Sequence, residues 1–311
     1  MALAGLTALP ATAFAHGGHD HRLTASTVLQ WWSWDPLVVL GLAVSVWLYG
    51  RGVWHLWRRA GVGQGIRRWE AASFAAGWLA LFTALISPLD ALGEVLFSAH
   101  MVQHEVLILL AAPLLVLGRP LVAWLWALAP ARRERVAAAV QARPVAAVWR
   151  FITGPLAVFF IHAVALWIWH LPALYQATLE NDAVHAVQHL SFFLSAALFW
   201  WALIHGRCGR MGYGVAVFYV FATAMHSGVL GALITVAPRL LYPIYGERTA
   251  AWGLSALEDQ QLAGLLMWVP AGLIFIIAGL ALFAAWLGES ERRVAFTESE
   301  SLWKSWASEE S

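Results

Sequence analysis

Apolar residues in this chain gather into seven long runs separated by shorter connections in which the charges collect. A helix needs ~20 apolar residues to cross the ~30 Å hydrocarbon core of a bilayer. Runs at about 37 to 57, 69 to 87, 93 to 117, 155 to 174, 184 to 205, 213 to 237 and 262 to 287 therefore predict seven spans. The expected fold class is an all-α integral membrane protein, a seven-transmembrane-helix bundle occupying residues 37–287. Basic residues set its direction. Sixteen of the nineteen fall on alternate connections: Arg51, Arg58, Arg59, Arg67 and Arg68; Arg119, Arg132, Arg133, Arg135, Arg143 and Arg150; Arg207 and Arg210; and Arg292, Arg293 and Lys304. The positive-inside rule makes those sides cytoplasmic, with the N-terminus outside and the C-terminus inside.

The ends and the longest connection read differently from the spans. Residues 1–15 are apolar and close on Ala13-Phe14-Ala15, a small-x-small pattern expected of a signal peptide, although the usual positive start is missing. Residues 16–36 form an external segment whose first six residues carry His16, His19 and His21, a composition that can capture metals or do nothing. Between Pro130 and Arg150 arginines alternate with alanines and valines, which predicts an amphipathic segment on the inner leaflet. Residues 288–311 make a polar cytoplasmic tail, expected to be solvated or disordered.

Composition agrees with the pattern: 61% of residues are hydrophobic and only 12% charged, more apolar surface than a soluble fold of this size can hide. Many of the 20 tryptophans flank the runs, where amphipathic rings prefer the headgroup zone. A single cysteine, Cys208, excludes a disulfide framework or a CxxC site. A net charge of +1 without a basic, aromatic-interleaved patch gives no sign of nucleic acid.

Chemistry enters through histidine. His100-Met101-Val102-Gln103-His104 and His185-Ala186-Val187-Gln188-His189 each place two imidazoles four residues apart, hence on one helix face. In the predicted topology both helices enter from outside, with His100 and His104 ~10 and ~16 Å deep. His226 lies at a similar depth on the sixth span, His170 ends the fourth, and Asp259 with Gln260 and Gln261 marks the mouth of the seventh. An imidazole in hydrocarbon is costly unless it faces inward and is paired, so the set points to a metal site. Imidazole suits copper, zinc, iron and nickel, and Met101, Met225 and Met267 offer thioethers that suit Cu(I). His55, His162 and His205 lie toward the inner side and read as structural, while Glu105 could be a proton relay or an ion-pair partner.

The segments Ser98 to His104, Ala112 to Gly118, Trp169 to Tyr175, His185 to Phe192 and Asp259 to Pro270, in this order, resemble the CtaG-type cytochrome c oxidase assembly proteins of bacteria. Trp34-Asp35-Pro36 and His226 to Tyr245 resemble them too. The resemblance implies a non-enzymatic inner-membrane factor that binds copper and delivers it to cytochrome c oxidase subunits, with periplasmic copper donor proteins as further partners. It also implies that His100, His104, His170, His185, His189 and Asp259 are the functional positions. Glu105 departs from the pattern, where an apolar residue is expected.

Two other classes compete. Seven spans with several histidines, an Asp and Ser98 also fit an intramembrane zinc hydrolase, in which a metal-bound water attacks an amide. Bis-histidine haem ligation needs rings on facing helices at matched depth, for which His104 and His226 are candidates.

Overall fold

The computed structural model describes residues 27–205 and 212–309, with side chains through residue 291. Residues 1–15, the histidines of the N-terminal segment and Cys208 lie outside the described residues. Among the described residues every regular element is helical. The helices are α1 (Pro36–Ala60), α2 (Arg68–Ile86), α3 (Pro88–Gly93), α4 (Phe97–Leu117), α5 (Pro120–Ala127), α6 (Pro130–Gln141), α7 (Arg143–Ile152), α8 (Pro155–Trp169), α9 (Pro172–Glu180), α10 (Asp182–Ile204), α11 (Tyr213–Val236) and α12 (Ala256–Glu309).

Six of these are long and apolar enough to cross a membrane: α1, α2, α4, α10, α11 and α12. A seventh is reached only if α7 and α8, bent by 60° at their junction, count as one span. The fourth expected run is thus shorter than the sequence suggests. Its helix stops at Trp169 because Pro172 cannot donate to the carbonyl one turn back, and Leu171 takes an extended backbone before it. The opposite happens at the C-terminus, where α12 continues as helix through the polar tail to Glu309. That stretch lacks Gly and Pro after Gly288 and is rich in Glu, a good helix former, so its backbone has no reason to break.

Helix starts are written locally. Asp35 accepts from the backbone N–H groups of Leu37 (2.7 Å) and Val38 (3.1 Å) ahead of Pro36, and Asn181 accepts from Ala183 (2.9 Å) and Val184 (3.2 Å) at the head of α10. Ser255 and Glu258 form a reciprocal pair at the head of α12. Helix α4 is the exception. Asp259 supplies its cap from α12, accepting from the N–H groups of Phe97 (2.6 Å) and Ser98 (3.2 Å) and from the Ser98 hydroxyl. The carboxylate is fully buried and compensates the positive end of the α4 dipole.

Helix α4 is central: 61% of its apolar window is buried, against 17–44% for the other five long helices. Its middle, Val106–Ala111, relaxes into a π-turn before Pro113, which has no N–H for the Ile108 carbonyl five residues back. The carbonyl of Ile108 takes the indole N–H of Trp200 instead (2.9 Å). Elsewhere small residues let backbones touch, as in many membrane bundles. A Cβ on Gly52 would strike the Ala123 carbonyl, joining α1 to α5, and one on Gly264 would lie 2.6 Å from the Gly231 carbonyl, joining α12 to α11.

Replacing Gly264 by Ala should force these helices apart, costing ~1–3 kcal/mol as overpacking does. Gly272→Ala, where nothing lies within 4 Å, is the matched control, and thermal melts in detergent should separate the two. Asp259→Ala should cost more than the ~1 kcal/mol of an ordinary exposed cap, because three donors lose a buried acceptor together. A melt of Asp259→Ala no lower than wild type would show that the cap contributes nothing.

Candidate metal centre

The faces of α4 and α10 that carry the HxxxH pairs are turned toward each other. Ring centres lie 5.1 Å apart for His100 and His185, 5.7 Å for His100 and His189, and 5.2 Å for His104 and His189. His170, in the break between α8 and α9, comes within 6.2 Å of His104. His100, His104, His170 and His189 are buried, and His185 is half-buried. One nitrogen each from His100, His185 and His189 fall within 4.8 Å of one another.

The donor set fits a metal ion. Both ring nitrogens of His104, Nε2 of His170 and Nε2 of His189 are buried without a hydrogen-bond partner, and each such orphan costs ~1–3 kcal/mol unless something occupies it. Their neighbours set the tautomers. His170 Nδ1 donates to the Leu166 carbonyl (2.6 Å), which leaves the Nε2 lone pair for a ligand bond. His100 sees two acceptors, Gly93 O through Nδ1 and Gln188 Oε1 through Nε2, both at 3.4 Å. A neutral ring has one proton, so at most one contact forms and the other nitrogen keeps its lone pair. A metal–nitrogen bond of ~2.0 Å puts the ion ~3.1 Å from a ring centre, so two rings at a tetrahedral angle stand ~5.1 Å apart. The cross-helix pairs have that spacing. The pairs within one helix, at 4.4 and 4.1 Å, are closer than that and would hold a shared ion at an angle of about 90° or less.

An aromatic plug covers the cluster at the end where α4, α10 and α12 begin. Phe97, Tyr175, Tyr242 and Tyr245 are all buried and in ring contact, and Tyr175 also lies 5.2 Å from His100. Tyr245 donates to Gly93 O (3.0 Å), Tyr175 donates to Tyr245 (2.7 Å), and Tyr242 donates to the His170 carbonyl (2.8 Å). Burial pushes the Tyr242 and Tyr245 phenols well above their usual range, so both stay protonated and keep donating. His185, one turn into α10, is the half-buried member of the cluster.

Other residues expected at the site stand elsewhere. Asp259 and Ser98 are hydrogen-bonded to each other and at the head of α4. His226 keeps company with His162 rather than His104, with ring centres 6.4 Å apart, so the haem pairing of His104 with His226 is not formed. Met267 is buried in the apolar core, Met101 is buried beside the histidines in sequence, and Met225 is 52% exposed on the outer surface of the bundle. His205 binds the Val116 carbonyl (3.0 Å) and His55 stacks edge-on against Trp54. One carboxylate oxygen of Glu105 is buried without a hydrogen-bond partner at the start of the π-turn.

Sequence reasoning passed over the two glutamines. Both are fully buried: Gln188 faces His100, and Gln103 donates to Ala84 O and Asp90 Oδ1, each at 2.7 Å. The signal was present in the Val-Gln that precedes the second histidine of each pair.

Comparison with known proteins follows the same boundaries. A family model described as cytochrome c oxidase caa3 assembly factor matches residues 47–289. Similar curated proteins are uncharacterised ones from Mycobacterium bovis and Mycobacterium tuberculosis, each 27% identical over 289 residues, which is 88% of this chain and 42% of the relative. One from Mycobacterium leprae is 27% identical over 286 residues, 86% of this chain and 41% of the relative. The chain therefore spans less than half the length of these relatives. No solved structure matches it. Since the matched stretch contains every helix that brings a histidine to the cluster, the chain belongs to the cytochrome c oxidase caa3 assembly factor family.

Proposed function

We propose that this protein holds copper as cargo in the cluster of His100, His104, His170, His185 and His189 and passes it to a haem-copper cytochrome c oxidase during assembly. It acts as a non-enzymatic metallochaperone of the bacterial inner membrane. The observation that supports this reading most is the set of buried, unpartnered ring nitrogens on His104, His170 and His189, gathered from three parts of the chain at one end of the bundle. All-nitrogen coordination accepts copper in a site too dry for a competing hydrated ion, and zinc remains the alternative metal. Met267 packs in the apolar core and Asp259 caps the head of α4. His185, the half-buried member of the cluster, is the ligand through which a periplasmic donor loads the site and an oxidase subunit unloads it.

In this reading the histidine end faces the periplasm, which the distribution of arginines supports. Reporter fusions after Arg68 and Arg150 should both report cytoplasm; a periplasmic signal at either would invert the orientation and close the proposed route.

Loss of the His104 or His189 ring should leave a folded membrane protein, because the substitution removes a polar group from a span. Orienting residues alone change metal affinity by ~10- to 100-fold, so loss of a ligand should cost at least that. Strains carrying His104→Ala should assemble oxidase with haem but little copper, and excess external copper should restore part of the activity by mass action. Normal oxidase copper in a strain with stable His104→Ala protein would end the delivery reading.

A further inference from the structure

The second histidine pair, His162 with His226, lies apart from the cluster, between the middle of α8 and the middle of α11. Its tautomers are set by the same logic. The Ser195 hydroxyl donates to the Phe192 carbonyl (3.1 Å), so toward His162 Nδ1, at 3.1 Å, it can only accept. His162 therefore carries its proton on Nδ1 and presents Nε2 as a bare lone pair. On the other side, both nitrogens of His226 are buried without a hydrogen-bond partner. The surroundings offer no substitute: Phe159 stands edge-on to His226 at 5.3 Å and Phe199 lies along His162 at 5.7 Å. A pair held only for packing would have its nitrogens bonded to each other or to backbone carbonyls, because an orphaned polar atom among apolar neighbours is destabilising.

The spacing of the rings selects among ligands. With metal–nitrogen bonds of ~2.0 Å, two imidazoles on opposite sides of one ion have centres ~6.3 Å apart. His162 and His226 stand at 6.4 Å. Two neutral imidazoles at this spacing, with no carboxylate among the described residues hydrogen-bonded to either ring to balance charge, suit a soft monovalent ion of low coordination number and are a poor cage for a divalent one. We infer that His162 and His226 form a second, two-coordinate Cu(I) site, oriented by Ser195 and distinct from the cluster between α4 and α10. It rests on the proposed copper chemistry only for the choice of ion, since the pair's geometry is independent of the cluster. Met225, exposed beside His226 on the outer surface of α11, gives an ion leaving this site a soft ligand toward whatever membrane protein packs there.

The test is an anaerobic Cu(I) titration of the full-length protein in detergent, in competition with a colorimetric Cu(I) chelator. His226→Phe and His162→Asn should each bind one equivalent fewer than wild type, and a variant carrying both should lose no more than either alone. Ser195→Ala should keep the equivalent with its affinity lowered ~10- to 100-fold, as expected for a residue that orients a ligand. His104→Ala with His189→Ala should retain the equivalent that His226→Phe loses. An unchanged equivalent count in both His226→Phe and His162→Asn, each checked for helix content by circular dichroism, would overturn the second site and leave the cluster's role intact. Loss confined to these two variants, with none from the cluster substitutions, would overturn the cluster reading instead.

Discussion

Hydrocarbon offers no hydrogen bonds, and that constraint arranges this molecule. Each buried polar side chain must find a partner inside the bundle or remain a standing cost of ~1–3 kcal/mol. Most do find one: Asp259 on the head of α4, Gln103 on Asp90 and Ala84, and Trp200 on the carbonyl of Ile108 in the π-turn. Apolar side chains such as Leu37, Trp47, Phe218 and Ile276 face outward, where in water they would be a liability. Against this background the unpartnered nitrogens of His104, His170, His189 and His226 stand out, joined by single atoms of Gln103, Glu105, Gln188 and Trp252.

The constraint also explains how the cluster is kept in place. Helix α4 cannot slide along α12 without uncapping itself from Asp259, and it cannot rotate without pulling Gln103 from Asp90. The short helix α3 holds Asp90, which in turn takes the Ser33 hydroxyl from the segment before α1 (2.5 Å). Tyr245 and Tyr242 reach back from the α11–α12 connection to Gly93 and His170, the two backbone positions that flank the cluster. Residues that touch no histidine ring thus fix where the rings meet.

Much of this was legible in the sequence because the relevant rules are local. Twenty-residue apolar runs, the i, i+4 histidine pairs and Ser255-x-x-Glu258 at the head of α12 need no knowledge of the fold. The break of the fourth run at Pro172 is a local signal too, although the apolar run continues past it to about 174. Long-range facts were hidden. Asp259 reads as a ligand at a helix mouth, and only the packing of α12 on α4, 162 residues apart in sequence, commits it to Phe97 and Ser98. His162 reads as a structural histidine and His226 as a member of the cluster, and only the contact of α8 with α11 makes them neighbours. The polarity of the tail says nothing of its backbone, which follows helix propensity and continues α12.

The chemistry of the cluster is open to direct measurement by X-ray absorption at the copper edge of the Cu(I)-loaded protein. If histidines hold the cargo, the ligand shell should consist of nitrogens at ~2.0 Å with the outer-shell scattering of imidazole rings, weakened when His104 and His189 are both replaced by Ala. A shell dominated by sulfur at ~2.3 Å, or a nitrogen shell indifferent to those two substitutions, would contradict it.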